Sequence, residues 1–441
     1  MFRKSFFHGF IFPSRSTGSL AAVLLLGGAL AAQDPPPHAD HSGMGDMNSA
    51  GMFLMGLGSG TSVNPASYQM PMVMMHFGKW TTDFMGTGFL VDTQQSGPRG
   101  GDKLYGPNWF MGSAQRRLGS NGTFEAVLML SLDPATITNR KYPELFQTGE
   151  TAYGLPIADG QHPHNLIIGV GAHYTYQLAE DTFIDFYGAP VGSPALGPEA
   201  YPHRASAVEL PEATLSHHLQ DSTHVADDVV TLGISHKKIK IEASGYHGGE
   251  PGENRWIVQQ GPIDSWSTRL WYFPSAHWAA QVSMGRIAHP EALAPGDQER
   301  TTASLHYSRP TLGSSWSSSF IWGRTHDTAT QQNLNSYLVE SVAPVRRGNF
   351  ITGRVELVDK DELFSAQPEL EEQLARTSGS AFRIGAFTIG YTRDIALLRH
   401  FETGIGANFS AYSLPAAIKP YYGNHPLGGN VFLRIRLKSA T

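Results

Sequence analysis

From Trp80 onward the chain repeats segments of about ten residues in which apolar and polar side chains alternate. In one of them Ile239 and Ile241 lie on one face, while Lys240 and Glu242 lie on the other, because successive side chains of a strand point to opposite sides. An apolar side and a charged side suit a sheet that separates lipid from a watery interior. The alternation therefore predicts strands of a β-barrel.

Counting these segments predicts about sixteen antiparallel strands, within a range of roughly 14 to 18. Short turns alternate with long connections around residues 133–164 and 190–226, as in outer-membrane barrels. The predicted fold class is all-β, an antiparallel transmembrane β-barrel over residues 80–441 with long, partly inward-folded loops. A soluble β-sandwich or propeller is the alternative, and it would not need this asymmetry. The predicted strands are 80–94, 105–118, 122–132, 165–178, 181–190, 227–236, 238–248, 264–274, 277–288, 299–309, 314–326, 332–343, 349–360, 380–393, 397–411 and 428–437.

Residues 1–32 have the three parts of an export signal peptide: a positive start, an apolar stretch and a small-residue cleavage site at Ala29-Leu30-Ala31. Beyond them no stretch approaches the roughly 18 uninterrupted apolar residues of a transmembrane helix. Charged residues make up 16% of the chain, below the roughly 25% typical of soluble domains. We therefore expect the outer membrane of a Gram-negative-type bacterium, with lipid and the barrel-assembly machinery as partners and the oligomeric state left open.

The net charge of -6 offers no basic patch, so nucleic acid is not an expected partner. Charged side chains on the predicted strands are candidates for the wall of a pore, where they would set an ion preference. A solvated strand face with balanced charge is the alternative. Gly-x-Ser-x-Gly is absent, and no enzymatic activity is predicted. The candidate pore-lining residues are Arg354, Glu356, Arg434 and Arg436.

Residues 33–79 are rich in glycine, proline, methionine and histidine and too poor in large apolar side chains to fold alone. They predict a flexible arm on the periplasmic side. Thioether and imidazole are the ligands that soft Cu(I) prefers where thiols are absent, and the chain has no cysteine. The alternative is that methionine is only a filler side chain. The candidate metal ligands of the arm are His38, His41, Met44, Met47, Met52, Met55, Met70, Met72, Met74, Met75 and His76.

Histidines also crowd the long connections. Those on either side of Pro163 would project to the same side of an extended chain, and those of residues 216–224 would share one face if that stretch forms a helical turn. Two or three imidazoles with a carboxylate satisfy Zn(II) or Cu(II). Alternatively they cap the loops and pack them into the barrel, since no spacing matches H-E-x-x-H. The candidate loop ligands are His162, His164, His217, His218, Asp221 and His224.

The order of signal peptide, Met/His-rich arm and antiparallel barrel resembles the copper-resistance B type of outer-membrane proteins. The stretches NWFMGSAQRRLG, LSLDPATITNRKYPELFQTGETAYGLPIADGQHPHN and LSHHLQDSTH are similar to those of uncharacterised bacterial outer-membrane barrel proteins associated with metal resistance. The first resemblance implies an arm that binds copper, and the second implies a setting of metal resistance.

We therefore expect a function in copper or other heavy-metal binding, resistance or export, with copper as the bound metal. A general porin or solute channel without specific metal binding is the alternative. An envelope hydrolase is a further alternative.

Overall fold

The computed structural model describes residues 47–291 and 296–438. The predicted signal peptide and the candidate ligands His38, His41 and Met44 lie outside these residues. Within the described ranges no helix is both long enough and apolar enough to cross a bilayer.

The strands are β1 (Val73–Phe77), β2 (Trp80–Gln95), β3 (Asp102–Tyr105), β4 (Asn108–Leu118), β5 (Gly122–Leu130), β6 (Tyr142–Ala152), β7 (Leu155–Gln161), β8 (Ile167–Ala179), β9 (Thr182–Gly192), β10 (Ala226–His236), β11 (Ile239–His247), β12 (Ser265–Ser275), β13 (Trp278–Ile287), β14 (Gln298–Thr311), β15 (Ser314–Asp327), β16 (Asn333–Arg346), β17 (Asn349–Lys360), β18 (Phe382–Ile395), β19 (Phe401–Ser413) and β20 (Leu427–Leu437). The α-helices are α1 (Ser49–Met55), α2 (Asp133–Thr136), α3 (His217–Gln220), α4 (Pro368–Ser378) and α5 (Lys419–Tyr422), and short 3-10 turns cover Thr138–Arg140, Ser222–Val225 and Ala416–Ile418.

Sixteen of these strands form one closed antiparallel barrel. It closes where β2 pairs with β20, from Thr87 opposite Arg436 to Gln95 opposite Gly428. On the same edge of β2 as β20, β1 pairs with the first residues of β2, which β20 does not cover. On the other edge, β4 pairs with the earlier part of β2 and β3 pairs with its last part. The predicted all-β barrel is confirmed, and each predicted strand agrees with an observed one to within about four residues at either end.

The barrel is apolar on the outside and polar on the inside. On β10, Leu232 is 59% exposed, whereas Thr231 beside it is fully buried. On β11, Ile241 is 54% exposed, whereas Lys240 and Glu242 on either side are buried. This is the reverse of a soluble protein, and it is stable where the outer face contacts lipid and the inner charges find partners.

Residues 47–72 fold into the barrel, and we call them the N-terminal plug. Asn48 caps α1, and its Oδ1 accepts a hydrogen bond from Oγ1 of Thr123 on β5 at 2.7 Å. Farther along, the carbonyl oxygen of Thr61 accepts one from Nζ of Lys240 on β11 at 3.0 Å. The structure corrects the prediction of an arm for these residues. Their composition cannot form a core, but the inward-facing groups of the barrel supply the partners that the segment itself lacks.

Residues 193–225, between β9 and β10, also fold into the barrel, and we call them the inward loop. At its centre Arg204 is fully buried. Its Nη1 donates to Oδ2 of Asp221 at 2.9 Å, and its Nε donates to Oε1 of Glu340 on β16 at 2.6 Å. Arg354 on β17 shares Glu340 at 3.1 Å. Charges of opposite sign thus neutralise each other between loop and barrel, and the predicted inward-folded loop is confirmed.

The four candidate pore-lining side chains face the interior of the barrel. All four contact the inward loop, so they hold that loop in place as well as lining the interior. Arg354 Nη1 donates to the carbonyl oxygen of Ala213 at 2.9 Å, Glu356 Oε2 accepts from the amide of Ser216 at 3.0 Å, Arg434 pairs with Glu209, and Arg436 Nη1 lies 3.4 Å from Oε1 of Glu209.

The connection predicted over residues 133–164 contains strands that the sequence pattern did not predict. β6 and β7 pair with each other as a separate two-stranded sheet. Their register shifts between Pro143 and Thr148, and Phe146 and Glu150 have φ angles of 68° and 59°. Such irregularities break the two-residue alternation, which is why the sequence predicted only a loop here.

We predict that the substitution Arg204→Met releases the inward loop while the barrel stays closed. Asp221 and Glu340 would each lose a buried counter-charge, a change that costs about 3–5 kcal/mol when one partner of a buried pair is removed. Limited proteolysis of the folded protein in detergent would then cleave within residues 193–225.

The matched control is Arg376→Met, which breaks an exposed pair with Glu372 on α4. It should leave the proteolysis pattern unchanged, because exposed pairs contribute little. Heat-dependent migration on a gel reports that the barrel is folded. An inward loop that stays protected in a folded Arg204→Met barrel would contradict the prediction.

Candidate metal centre

Five histidines from two loops meet inside the barrel, and we call them the histidine cluster. His162 and His164 follow β7, His217 and His218 begin α3, and His224 lies in the 3-10 turn after it. The ring centroids form a chain: 5.6 Å from His162 to His218, 5.3 Å on to His217, 5.2 Å on to His224 and 5.4 Å on to His164. Residues 216–224 do not form one continuous helical turn: α3 and the 3-10 turn are separated at Asp221, and both direct histidines toward the other loop.

Oxygen acceptors fix the orientation of three of these rings. Nδ1 of His217 lies 2.6 Å from Oδ1 of Asp221, and Nδ1 of His224 lies 2.9 Å from the carbonyl oxygen of Asp221. Nδ1 of His164 lies 3.0 Å from Oδ2 of Asp133. Because carboxylate and carbonyl oxygens only accept, each Nδ1 carries the proton and each Nε2 presents a lone pair. Histidines that bind metal ions are held in this way.

Two of these lone pairs face each other. Nε2 of His164 lies 3.2 Å from Nε2 of His224, and the Nδ1 proton of each ring is already directed at an oxygen. Neutral rings would therefore repel each other, and a cation between them removes the repulsion. Burial lowers the pKa of His224 well below its usual value, which disfavours a proton there. Two nitrogens bound to one tetrahedral ion at about 2.0–2.1 Å lie about 3.3 Å apart, close to the observed spacing.

The other rings form a looser group. His162, His217 and His218 each offer a nitrogen, and the three atoms lie within 4.8 Å of one another. His218, Glu250 and Glu291 form a second such group, so His218 is common to both. One ion bound by either set would need these atoms to lie closer together than this, at the spacing of a tetrahedral site.

Burial keeps the cluster in the form that binds metal. It lowers the pKa of His162 and of His217, and it lowers the pKa of His218 to about 3. For His162 the charges of its histidine neighbours lower the pKa further. These rings are therefore neutral at pH 7, with lone pairs available.

Carboxylates surround the cluster. Oε1 of Glu150 lies 3.1 Å from Nε2 of His162, and Oε1 of Glu250 lies 3.5 Å from Nδ1 of His218. Burial raises the pKa of Glu250 to about 7, and burial together with the charge of Glu250 raises the pKa of Glu291 well above its usual value. A metal ion would favour ionisation of both. Glu150 and Glu250 border, together with the five histidines, a cavity of about 30 Å³.

The carboxylates Asp133, Glu150, Glu250 and Glu291 were not predicted from the sequence. Asp133 follows β5, Glu150 lies on the irregular strand β6, and the other two lie in separate loops. Weak signals existed for three of them: Glu250 follows His247 by three residues, and Asp133 and Glu150 lie in the stretch that ends with His162 and His164. All four reach the cluster through long-range contacts that no local spacing encodes.

The described candidate ligands of the predicted arm are distributed over several places. Met52 and Met75 are exposed, at 52% and 39%. Nδ1 of His76 lies 3.1 Å from Oγ1 of Thr81. The remaining positions are Met47 before α1, Met74 on β1, Met70 at one interior cavity, and Met55 and Met72 at another.

The sequence matches no protein-family model, and no curated protein matches it. Solved structures do match. OmpF of Salmonella typhi, in complex with daunomycin, superposes with a TM-score of 0.52 at 10% identity, covering 83% of this chain and 100% of that one. The channel DcaP of Acinetobacter baumannii gives 0.48 at 8% identity, covering 83% and 99%. OprB of Pseudomonas putida gives 0.48 at 9% identity, covering 81% and 94%. The likeness to OmpF shows that this chain has the porin-like barrel fold.

We predict that acid releases the inward loop of the metal-free protein. The buried histidines have lowered pKa values, so below about pH 6.5 the released loop binds protons that the docked loop does not. The contribution of these neutral histidines to the free energy of loop docking is complete above that pH. It is lost below that pH by about 1.4 kcal/mol per pH unit for each such histidine. A spin label on Thr223→Cys should be immobile at pH 7.5 and mobile at pH 5.

The chain has no cysteine of its own, so a single introduced thiol reports one position. A label on Ser120→Cys, in the exposed turn between β4 and β5, is the control and should not respond to pH. Equal immobility of the Thr223→Cys label at pH 7.5 and pH 4.5 would contradict the prediction.

Proposed function

We propose that this chain is an outer-membrane barrel protein that binds a divalent transition-metal ion, Cu(II) or Zn(II), in the histidine cluster. We include in the proposal a part in heavy-metal resistance or export, with copper as the favoured metal. Its resemblance to metal-resistance barrels supports that part. The surface in contact with lipid is the apolar outer face of the sixteen strands.

The observation that carries the proposal is the pair of Nε2 atoms of His164 and His224, 3.2 Å apart. Hydrogen bonds from Nδ1 to oxygen fix both rings, and burial disfavours a proton between them. Packing alone would not need two buried lone pairs in contact, since leaving polar groups unsatisfied costs free energy. Imidazoles with nearby carboxylates are the ligand set of Zn(II) and Cu(II).

A solute channel is the second candidate, because the porin-like fold and a charged interior suit it. The N-terminal plug and the inward loop occupy much of that interior, and residues such as Arg204 and Thr61 are fully buried. Conductance in planar bilayers separates the two candidates. A large conductance that Cu(II) and Zn(II) leave unchanged would favour the channel.

We predict that the chelator-treated protein binds Zn(II) and Cu(II), and that His164→Gln or His224→Gln weakens binding at least tenfold. Glutamine has similar bulk but no imidazole nitrogen. Isothermal titration in detergent measures affinity and stoichiometry, and X-ray absorption detects imidazole in the coordination shell.

The matched control is His400→Gln, in the exposed turn between β18 and β19. It should bind metal as the unaltered protein does. The proposal would be overturned if the unaltered protein bound neither metal ion. It would also be overturned if His164→Gln, His224→Gln and His400→Gln all bound metal with the same affinity.

We also predict that Asp133→Asn weakens metal binding by about 10- to 100-fold, the usual effect of removing a group that orients a ligand. Oδ1 of Asp133 accepts from the amide of Asn108 at 2.8 Å, and an asparagine oxygen can keep that bond. The NH2 group of the asparagine would then face Nδ1 of His164. Because NH2 only donates, the ring proton of His164 would move to Nε2, and Nε2 could no longer bind metal.

Asp133→Glu keeps the carboxylate and is the comparison for this experiment. Titration should show binding closer to that of the unaltered protein. Equal affinity for Asp133→Asn and the unaltered protein would show that Asp133 does not orient a metal ligand.

A further inference from the structure

Three methionines form a row across adjacent strands inside the barrel. Met85 on β2 stands directly opposite Met111 on β4, and Met111 stands directly opposite Met129 on β5. Their neighbours in sequence point outward, since Phe110 and Leu128 are 44% and 45% exposed. The three side chains therefore point inward, and directly paired residues have Cβ atoms about 4.5–5.5 Å apart. We call them the methionine row.

The N-terminal plug adds two further methionines. Met55, at the end of α1, and Met72, just before β1, line a cavity of about 40 Å³ together with the methionine row. Five of the chain's 13 methionines thus border one space. They come from three strands and from the N-terminal plug, so no single element places them together.

The same cavity holds a histidine. His173 on β8 borders it and is 3% exposed. Its ring stacks on Tyr187 at a centroid distance of 4.4 Å, and its Nδ1 is buried without a hydrogen-bond partner among the described residues. A buried nitrogen without a partner costs free energy unless a ligand uses it. This orphan nitrogen points to a bound group independently of the methionines.

We propose that this methionine cavity binds a soft monovalent cation, Cu(I). Thioether sulfur with imidazole is a ligand set that Cu(I) prefers, and the chain has no cysteine thiolate to supply instead. The surrounding interior is rich in polar and charged side chains, so a group of methionines around one cavity differs from the usual composition of the inner face. If the methionines only filled space, leucine would serve as well, since it has nearly the same volume.

The site goes beyond the proposed function, because it uses other residues and a softer ion than the histidine cluster. The two lie close together. Met129 and Val225 belong to one buried apolar cluster, against which Met111 also packs, and Val225 directly follows His224. This apolar cluster therefore joins the methionine row to the loop that carries His224. The chain offers adjacent sites suited to the two oxidation states of copper.

The test uses the full chain in detergent with Ag(I) as the probe, since it is soft, monovalent and stable in air. The triple variant Met85→Leu, Met111→Leu, Met129→Leu should weaken Ag(I) binding at least tenfold. It should fold, because exchanges of methionine for leucine are well tolerated in cores. Cu(I) competition against a chromophoric chelator should show the same loss, and X-ray absorption of the unaltered protein should show sulfur ligands.

The matched control is Met52→Leu, Met75→Leu, Met284→Leu, three methionines that are 52%, 39% and 53% exposed. It should bind Ag(I) as the unaltered protein does. Unchanged affinity in the row variant would show that the methionines only pack, and a loss confined to the control would move the site to the exposed methionines. Either result overturns the inference.

One further variant keeps the two sites distinct. His164→Gln should leave Ag(I) binding intact, while the row variant should leave Zn(II) binding intact. Loss of Zn(II) binding alone in His164→Gln therefore tests the histidine cluster without bearing on the methionine cavity. Loss of Ag(I) binding in His164→Gln would contradict a separate soft site.

Discussion

Closure of the sheet between β2 and β20 is the constraint on which the rest of the structure depends. Because a closed sheet has no free edge, the inward side chains of all sixteen strands face one enclosed space. That space receives buried charges such as Arg269 and Glu340, which need partners once they leave water. The N-terminal plug and the inward loop supply those partners. A filled interior therefore follows from closure and from the charges on the inner face.

Asp221 links the packing of the inward loop to the geometry of the histidine cluster. Its Oδ2 accepts from buried Arg204, its Oδ1 lies 2.6 Å from Nδ1 of His217, and its carbonyl oxygen lies 2.9 Å from Nδ1 of His224. The loop is thus held to the barrel by the same residue that orients two candidate ligands. A substitution at Asp221 would therefore affect both the packing of Arg204 and the orientation of His217 and His224.

The sequence predicted what depends on local period and missed what depends on distant partners. Sixteen strands followed from alternation, because each inward or outward position repeats every two residues. The histidines of residues 216–224 were recognised as candidate ligands from their spacing alone, although they lie on two short helical pieces. The fold of residues 47–72 did not, because its partners lie on other strands. The methionine row was hidden for the same reason: its members are far apart in sequence, and only strand register makes them neighbours.

The pairing of β1 has a consequence for the N-terminal plug. β1 and β20 lie along the same edge of β2, β1 beside residues 80–84 and β20 beside residues 87–95. The segment that leads into β1 passes through the interior of the barrel. Because β1 and β20 share one edge of β2, the end of the plug is anchored at the line where the barrel closes. The same few residues of β2 therefore hold both the wall of the barrel and the segment that fills it.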